Sequence, residues 1–468
     1  MPLILSGNVA SATADAGYTV DNSCRFNKPS DDSLTRTFGS SGNRKTWSFS
    51  TWIKRCNLIN ANMNILGTAY TVPSGEAYLL FRSGEQLHYG QYTAGGVSEN
   101  HSFQTNQAFR DQAAWYNLLF VWDTTQSTSS DRMKLYVNGT QVTSFASSTY
   151  PTLNLDGVMN SNKGHYIGDA EYGTNLDGYL SETIFVDGTA LSPTDVGEFD
   201  SSSPTIWKPI DVSGLTFGTN GYYLDFEDSS NLGNDANGGT DFTVTNLAAA
   251  DQSTDTPTNN FCVMNPLDNY YANATLSEGN LKMVSGSSRE CSSTATIALS
   301  NGKWFWEYEV TTMSAPFGGI QPIPSFGNTA SAAVLQTNGL GYLKTGKVET
   351  TDGSGGSTEL ASYATYAAND IIGVALDLDA ATNIIYFYKN GALQGSGVNL
   401  THVDSTANGH YLIAFGAISG QDTFEINFGN PITALDSANA DANGYGAFEY
   451  AVPSGFFSIC TKNLAEYG

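Results

Sequence analysis

Two glutamates, Glu307 and Glu309, stand two positions apart in an aromatic segment of the chain. Residues spaced by two project from the same face of a β-strand, so both carboxyl groups would share one side of a sheet. Glycoside hydrolases use a pair of this kind as acid and nucleophile, or as acid and base. The longer Glu-x-Asp-x-x-Glu pattern of many β-sandwich glycosidases is missing from the sequence. We therefore predict a solvated strand face here and no catalytic residues in the chain.

Other reactive side chains also lack the spacing that catalysis or metal binding requires. Asp377 and Asp379 alternate in the same way, but they stand at the entry of a turn, where aspartate commonly caps the backbone. The glycine-rich run 353–356 lacks the lysine and helix of a phosphate-binding loop, and no G-x-S-x-G motif occurs. No two of the five histidines have metal-site spacing; they are His88, His101, His165, His402 and His410.

The elements that would hold these residues are β-hairpins, and one hairpin pattern occurs twice. Residues 118–139 and 372–391 each run from an apolar strand that ends in Asp, through a turn and a second strand, to an Asn-Gly pair. Asn-Gly tolerates positive φ at both central positions and favours the type I′ turn between antiparallel strands. The copies stand about 250 residues apart, too far for a short-period repeat. We therefore predict two separate β domains.

Composition agrees with an all-β protein. The 468 residues include 48 glycines and only 14% charged residues, against about a quarter in an average protein. The net charge of −25 leaves no basic surface for phosphates, so we predict neither nucleic-acid binding nor binding to anionic membranes. No stretch approaches the ~20 apolar residues of a membrane span, and membrane insertion is not expected.

The spacing of the cysteines and the N-terminal residues indicate the cellular compartment in which the chain folds. The cysteines are odd in number and widely spaced, which predicts buried free thiols rather than a zinc or disulfide framework; they are Cys24, Cys56, Cys262, Cys291 and Cys460. Residues 1–7 have no basic region and no long apolar run, so we expect no signal peptide. An extracellular type of composition without such a signal is expected of a virion component, assembled in the host cytoplasm and released by lysis.

Residues 26–200 resemble the LamG and pentraxin group of concanavalin A-like sandwiches. The matching segments, in the family's order, are SFSTWIKR, MKLYVNGTQV and LDGYLSETIFVDGTALSPTDV. The resemblance implies a jelly-roll type of antiparallel β-sandwich. It also implies a Ca²⁺ site on loop carboxylates, for which Asp169, Glu171 and Asp177 are the candidates. The alternative is that these three acids cap turns.

Residues 271–435 resemble a SPRY domain through the segments GKWFWEYEV, DIIGVALDLD, IIYFYKNG and FEINFG. That family folds as a two-sheet sandwich and presents loops to partner proteins or other ligands. The predicted fold class is therefore all-β, with two concanavalin A-like antiparallel β-sandwiches of jelly-roll type. An irregular connector rich in Gly, Asn and Asp, residues 201–270, would join them.

Two further segments resemble parts of tail-fibre-like proteins of marine phages. They are GYYLDFEDSSNLGNDANG in the connector and VPSGFFSICTKNLAE in the C-terminal tail segment, residues 436–468. The small-residue stretch within residues 1–25 is predicted to be an arm that anchors the chain to other virion proteins. The resemblance to fibres implies a homo-oligomer, with a trimer expected, although no heptad run supports it.

Glycan binding would use exposed aromatic rings, on which sugars stack, beside polar loop groups. Five loop tyrosines are the candidates: Tyr92 and Tyr172 in the first domain, and Tyr342, Tyr363 and Tyr366 in the second. The alternative for each is a ring packed inside the domain.

Together these features predict a virion structural protein on a tail fibre, a spike or a head-surface fibre. Its sandwiches would recognise a host-surface glycan or protein through several weak sites acting together. Three alternatives stay open: a purely architectural capsid decoration protein, a secreted bacterial lectin or adhesin, and a glycan hydrolase with an unrecognised carboxylate pair.

Overall fold

The computed structural model describes residues 4–5, 17–58, 61–70, 75–92, 100–169, 174–270, 274–286, 291–322, 339–351, 356–402 and 409–468. The chain folds as two compact units, residues 13–258 and residues 259–468, the second also including the N-terminal residues 1–12. Strands dominate both units, and the predicted all-β class is confirmed. No helix in the described ranges is long and apolar enough to cross a membrane.

The first unit is a sandwich of two eight-stranded sheets. The chain begins with β1 (Ile4–Leu5), which belongs to the second unit. The first unit then contains β2 (Ser23–Phe26), β3 (Ser33–Thr37), β4 (Thr46–Arg55), β5 (Met63–Thr68), β6 (Glu76–Phe81), β7 (Gln86–Tyr92), β8 (His101–Ala108), β9 (Trp115–Asp123), β10 (Met133–Val137), β11 (Thr140–Gln141), β12 (Phe145–Thr149), β13 (Gly164–Ile167), β14 (Gly178–Asp187), β15 (Gly197–Phe199), β16 (Trp207–Pro209), β17 (Tyr222–Leu224), β18 (Thr243–Thr245) and β19 (Gln252–Ser253).

One sheet has the order β11-β10-β9-β4-β14-β2-β19, with β17 also paired to β14, and the other has the order β12-β8-β7-β6-β5-β13-β3-β18. Their inner faces meet in an aromatic core. Tyr89 of β7 packs 4.6 Å from Phe120 of β9, measured between ring centroids. Period-two alternation selects the inward residues: in β10 these are Met133, Leu135 and Val137, which are buried, while the residues between them are partly exposed.

The predicted connector is corrected by this arrangement, because residues 201–258 are part of the first sandwich. β17 pairs with β14, β18 with β3 and β19 with β2. Arg36 of β3 forms a buried ion pair of 3.0 Å with Asp235 of this segment. The predicted arm is also too long, since β2 lies within the sandwich and Cys24 is fully buried.

The second unit is a sandwich of an eight-stranded and a seven-stranded sheet. Its further elements are β20 (Met264–Tyr270), β21 (Thr275–Ser277), β22 (Lys282–Val284), β23 (Cys291–Leu299), β24 (Lys303–Thr312), β25 (Pro316–Gln321), β26 (Leu340–Leu343), β27 (Lys347–Thr351), β28 (Ser357–Ser362), β29 (Ile371–Asp377), β30 (Ile384–Lys389), β31 (Ala392–Asn399), β32 (Tyr411–Ala417), β33 (Thr423–Asn427), β34 (Asn439–Ala440), β35 (Ala447–Phe448) and the short helix α1 (Thr461–Tyr467).

Its sheets have the orders β1-β23-β32-β25-β26-β27-β28, with β20 also on β23, and β21-β22-β33-β24-β29-β30-β31. The core lies between them, where Tyr308 of β24 meets Phe415 of β32 at 5.1 Å between centroids. In the N-terminal segment, Ile4 and Leu5 pair in parallel with Ile297 and Ala298 of β23. The anchoring role predicted for this segment stays a prediction.

The predicted C-terminal tail segment is also part of a domain. Phe448 and Phe456 are buried against Phe305 on the outer face of β24. Isolated β-bridges between backbone groups pair Phe457 with Trp304 and Cys460 with Phe261. Residues 436–468 therefore cover one face of the second sandwich instead of trailing from it.

Both copies of the repeated hairpin pattern have the predicted turn. Asn138 and Gly139 have φ of 48° and 73°, and Asn390 and Gly391 have φ of 47° and 76°. These turns join β10 to β11 and β30 to β31. A Cβ at Gly139 would lie 2.4 Å from the Trp207 ring, so only glycine fits there.

Candidate functional site

The four candidate tyrosines that the structure describes occupy two kinds of position. Tyr342 and Tyr366 lie inside the second sandwich, 0% and 5% exposed, so neither presents a ring face to a sugar. Their hydroxyl groups donate to backbone carbonyls, Tyr342 to Ala364 and Tyr366 to Tyr342 at 3.2 Å. Tyr92 and Tyr363 are half-buried and keep part of their surface. Tyr172 lies outside the described residues.

The outer face of β24 is covered where the sequence predicted solvent. Trp304, Trp306 and Tyr308 point into the core, whereas Phe305, Glu307 and Glu309 alternate with them on the other face. The C-terminal segment covers Phe305 and Glu307, and Glu307 is only 3% exposed. The solvated face predicted for the pair Glu307 and Glu309 is thus wrong for Glu307.

Glu307 binds the segment that covers it. Its Oε2 accepts the backbone N–H of Glu449 at 2.8 Å, and its Oε1 accepts that of Tyr450 at 3.0 Å. Burial raises the pKa of Glu307 to about 7, although the two N–H groups favour the charged form. Both carboxylate oxygens are therefore engaged in holding the backbone, which is a structural role.

A cleft of about 340 Å³ opens beside this contact. Its floor is the outer face of β24, β29 and β33, and one wall is the chain at 431–436. Glu309 pairs across the sheet with Glu425, which forms an ion pair with Lys282 at 3.0 Å. The pKa of Glu309 is raised by burial and by the nearby Glu425. The cleft is polar and acidic, and it suits a ligand with many hydroxyl groups or a positive charge better than an anion.

The loop between β13 and β14 carries the predicted calcium ligands. Asp169 begins this loop next to β5, since the N–H of Gly168 donates to Ile65 O at 3.0 Å. Asp177 ends it next to β4, since the N–H of Cys56 donates to Asp177 O at 3.1 Å. Glu171, the third candidate, lies outside the described residues. The loop thus joins one sheet to the other, and its two ends meet, since the N–H of Leu176 donates to Gly168 O at 2.8 Å. Asp169 and Asp177 each follow one residue of this bonded pair.

Two buried amide oxygens in this region were not selected from the sequence. Oδ1 of Asn64 and Oδ1 of Asn175 have no hydrogen-bond partner among the described residues, and both side chains are 2% exposed. The N–H of Asn64 donates to Thr174 O at 2.7 Å, which places Asn64 against the loop. Unpaired buried oxygens are costly unless a ligand or cation binds them, and amide and carboxylate oxygens are the donors that Ca²⁺ prefers.

Acidic, histidine and cysteine side chains alone do not make a metal centre in the described ranges, where no three of them are placed to hold an ion. Desolvation lowers the pKa of the buried His165 to about 3, so this imidazole is neutral. Its Nε2 accepts the N–H of Asn160 at 3.2 Å, a structural contact. All five cysteines are free and buried, as predicted.

Comparison with protein families identifies the fold of the first unit. Residues 29–197 match the Laminin_G_3 family, described as the concanavalin A-like lectin/glucanases superfamily. The first sandwich has the concanavalin A-like fold. The family match ends before β16, so the strands that complete the two sheets after residue 197 lie beyond it. Comparison with curated proteins finds no match to the sequence.

Solved structures with detectable similarity are distant. The SPRY domain of human HERC1 is 16% identical, with 35% of this chain and 96% of that chain covered and a TM-score of 0.27. The SAP-like pentraxin of Limulus polyphemus is 17% identical, with 37% and 79% covered and a TM-score of 0.28. Domains LG4-5 of the mouse laminin alpha1 chain are 11% identical, with 97% and 90% covered and a TM-score of 0.29.

Proposed function

We propose that this chain is a non-enzymatic binding protein that displays its two sandwiches on the surface of a virus particle. The observation that carries the binding role is the match of residues 29–197 to the concanavalin A-like lectin/glucanases superfamily. In the second sandwich, which lies outside this match, the outer face of β24 has no free acid pair, and this favours binding over hydrolysis there. Glu307 has both carboxylate oxygens occupied by backbone N–H groups.

The location on a particle is supported by the sequence segments that resemble phage fibre proteins and by the state of the cysteines. Five buried free thiols in a chain of this length fit folding in a reducing compartment, since secreted proteins of oxidising compartments commonly pair them. This favours a virion component, released by lysis, over a secreted lectin or adhesin. The N-terminal residues would contact other virion proteins, and several copies, three in a fibre, would act together.

The ligand would be a glycan or a protein of the host surface. In the first sandwich, the loop between β13 and β14 would present it, with Ca²⁺ held by Asp169, Asn64 and Asn175. A bound Ca²⁺ would supply a positive centre for hydroxyl or carboxylate groups of the ligand. In the second sandwich, the acidic cleft beside Glu309 is the candidate. Weak single sites would gain strength from copies on one particle.

Three experiments test the proposal. Gold-labelled antibody against residues 259–468, applied to purified virus particles, should mark an appendage; label on no particle would reject the virion location. Fluorescent full-length chain should bind host cells in Ca²⁺-containing buffer of seawater ionic strength. Labelling of particles together with no cell binding would identify an architectural protein instead. Release of reducing sugar from glycans, lost in Glu309→Gln, would identify a hydrolase.

A further inference from the structure

The first sandwich contains a buried lysine–aspartate pair that the proposed function does not use. Lys54 Nζ lies 2.6 Å from Asp255 Oδ2, and both side chains are completely buried. Lys54 is on β4, whereas Asp255 follows β19, the last strand of this unit. The pair therefore connects two parts of the domain that are 201 residues apart in sequence.

Aromatic rings enclose this pair. In the sheet register, Lys54 has Trp115 of β9 on one side and Tyr179 of β14 on the other. These two rings belong to a buried cluster on the same face that also contains Trp52 and Trp207. An apolar enclosure disfavours a separated ammonium and carboxylate. The ion pair and the neutral amine and acid differ only by one proton moved along the existing hydrogen bond.

The second oxygen of the aspartate has a fixed donor. Trp115 Nε1–H donates to Asp255 Oδ1 at 3.0 Å, so the two oxygens have different surroundings. Oδ2 faces the lysine nitrogen, and Oδ1 faces an N–H. A donor held at the oxygen on which negative charge develops stabilises the tetrahedral intermediate of acyl transfer. The geometry thus resembles an amine placed against a polarised carboxyl group, with water excluded.

We propose that Lys54 and Asp255 condense into an intramolecular isopeptide bond. The proton of the ammonium moves to Oδ2, the neutral Nζ attacks Cγ, and Oδ1 carries the developing charge against the Trp115 N–H. Nζ then loses a second proton to Oδ2, which leaves as water. One C–N bond forms and one C–O bond breaks, no oxidant or cofactor is needed, and the uncharged amide replaces two buried charges.

The bond would close a loop of about 200 residues and prevent the segment after β19 from separating from β4, even in the denatured chain. Cross-links of this kind would resist unfolding in a surface-exposed protein without needing an oxidising compartment. The inference stands on the Lys54–Asp255 geometry alone, so it does not depend on the proposed function.

Mass measurement tests the bond directly. The full-length chain, denatured and reduced, should be lighter than its sequence mass by one water molecule. Lys54→Arg keeps the positive charge but has no amine that condenses. The measured mass of this variant should therefore equal the mass calculated from its sequence, with no loss of water. Protease digestion of the native chain should also yield one branched peptide that joins residue 54 to residue 255, which decides the question even if Lys54→Arg does not fold. A native chain at full sequence mass, with both peptides recovered unbranched, would show that the pair is an ion pair only.

Discussion

Oδ1 of Asn390 accepts a hydrogen bond of 2.9 Å from the backbone N–H of Ile371, the first residue of β29. The N–H of Asn390 returns a bond of 2.8 Å to Ile371 O. The first sandwich contains the same arrangement, with Asn138 Oδ1 2.8 Å from Asn117 N and Asn138 N 2.9 Å from Asn117 O. The asparagine of the repeated pattern therefore does two things: it forms the turn, and it fastens that turn to the neighbouring strand.

We expect Asn390→Ala to lower the free energy of unfolding by about 1–3 kcal/mol, because it removes this hydrogen bond and places alanine at positive φ. Asn390→Gly separates the two effects, since glycine accepts the left-handed conformation but lacks the side chain. Urea unfolding should therefore rank the stabilities as native, then glycine, then alanine. Equal stability of all three chains would show that the side-chain bond contributes nothing.

Substitution of Glu307 should loosen the C-terminal segment. Glu307→Gln replaces one acceptor oxygen by an N–H₂ group that faces a backbone N–H, and a buried unmet group costs about 1–3 kcal/mol. We expect faster protease cleavage within residues 436–457, measured by peptide mapping of the native chain. Glu309→Gln is the matched control, because it makes the same change two residues along the same face without touching Glu449 or Tyr450. Equal cleavage rates in the two variants would contradict the anchoring role.

Sequence reasoning succeeded where period-two alternation and turn chemistry act locally. The strands of the segments SFSTWIKR, MKLYVNGTQV and GKWFWEYEV and both Asn-Gly turns appear in the structure. It failed where a distant segment covers an apparently polar face. Glu307 was expected in solvent because nothing near it in sequence shows that residues 449–450 would donate to it.

The same limitation explains the misassigned connector and why Asn64 and Asn175, the proposed Ca²⁺ ligands, were not selected from the sequence. The stretch 228–239 is rich in Gly, Asn and Asp, which is typical of a linker, yet its Asp235 binds Arg36 inside the sandwich. Asn64 and Asn175 carried no signal, because a lone asparagine is common in β-rich chains. Only the burial of these two side chains and the lack of a hydrogen-bond partner for each Oδ1 identify them as candidate ligands.

Fragment boundaries follow from the packing of residues 201–258. A fragment of residues 13–258 should be soluble and unfold cooperatively, whereas one of residues 26–200 lacks β17, β18 and β19 and should not. Circular dichroism during heating checks both. In the longer fragment, Asp235→Ala should cost about 3–5 kcal/mol, since it leaves the buried Arg36 charge unpaired. A cooperative unfolding transition in the fragment of residues 26–200 would show that residues 201–258 are a connector and not an essential part of the sandwich.

Calcium should stabilise the first sandwich if Asn64, Asp169 and Asn175 hold it. Free Ca²⁺ at about 100 times its Kd would add about 2.7 kcal/mol to the free energy of unfolding. The midpoint of thermal unfolding of residues 13–258 should then rise with Ca²⁺ and fall with chelator. Asp169→Asn should abolish this shift, while Asp156→Asn, an equal charge change elsewhere in the fragment, should keep it. An identical response of the two variants would show only general screening of acidic charge.

Glu182 should make the stability of the first sandwich depend on pH in an unusual direction. This glutamate is 6% exposed at a bulge of β14, with φ of 47°. Its Oε2 accepts hydrogen bonds from Tyr223 at 2.9 Å and from Tyr18 at 3.4 Å. Burial raises its pKa from 4.5 to about 8, opposed by the Tyr223 bond and reinforced by Asp225 and Glu227.

Proton binding at Glu182 sets the direction of this pH dependence. Between pH 4.5 and about 8 the folded chain holds a proton at Glu182 that the unfolded chain has lost, so the contribution of this group falls as pH rises. It is complete below pH 4.5 and gone above about 8, and its size is on the order of a few kcal/mol. The side chain of Glu182→Gln cannot ionise, so this variant should not lose stability as pH rises. It should be more stable than the native chain at pH 9 but not at pH 4. Urea unfolding of residues 13–258 across that range measures it, with the exposed Glu198→Gln as control. A native chain that gains stability relative to Glu182→Gln as pH rises would show that Glu182 folds in its charged form.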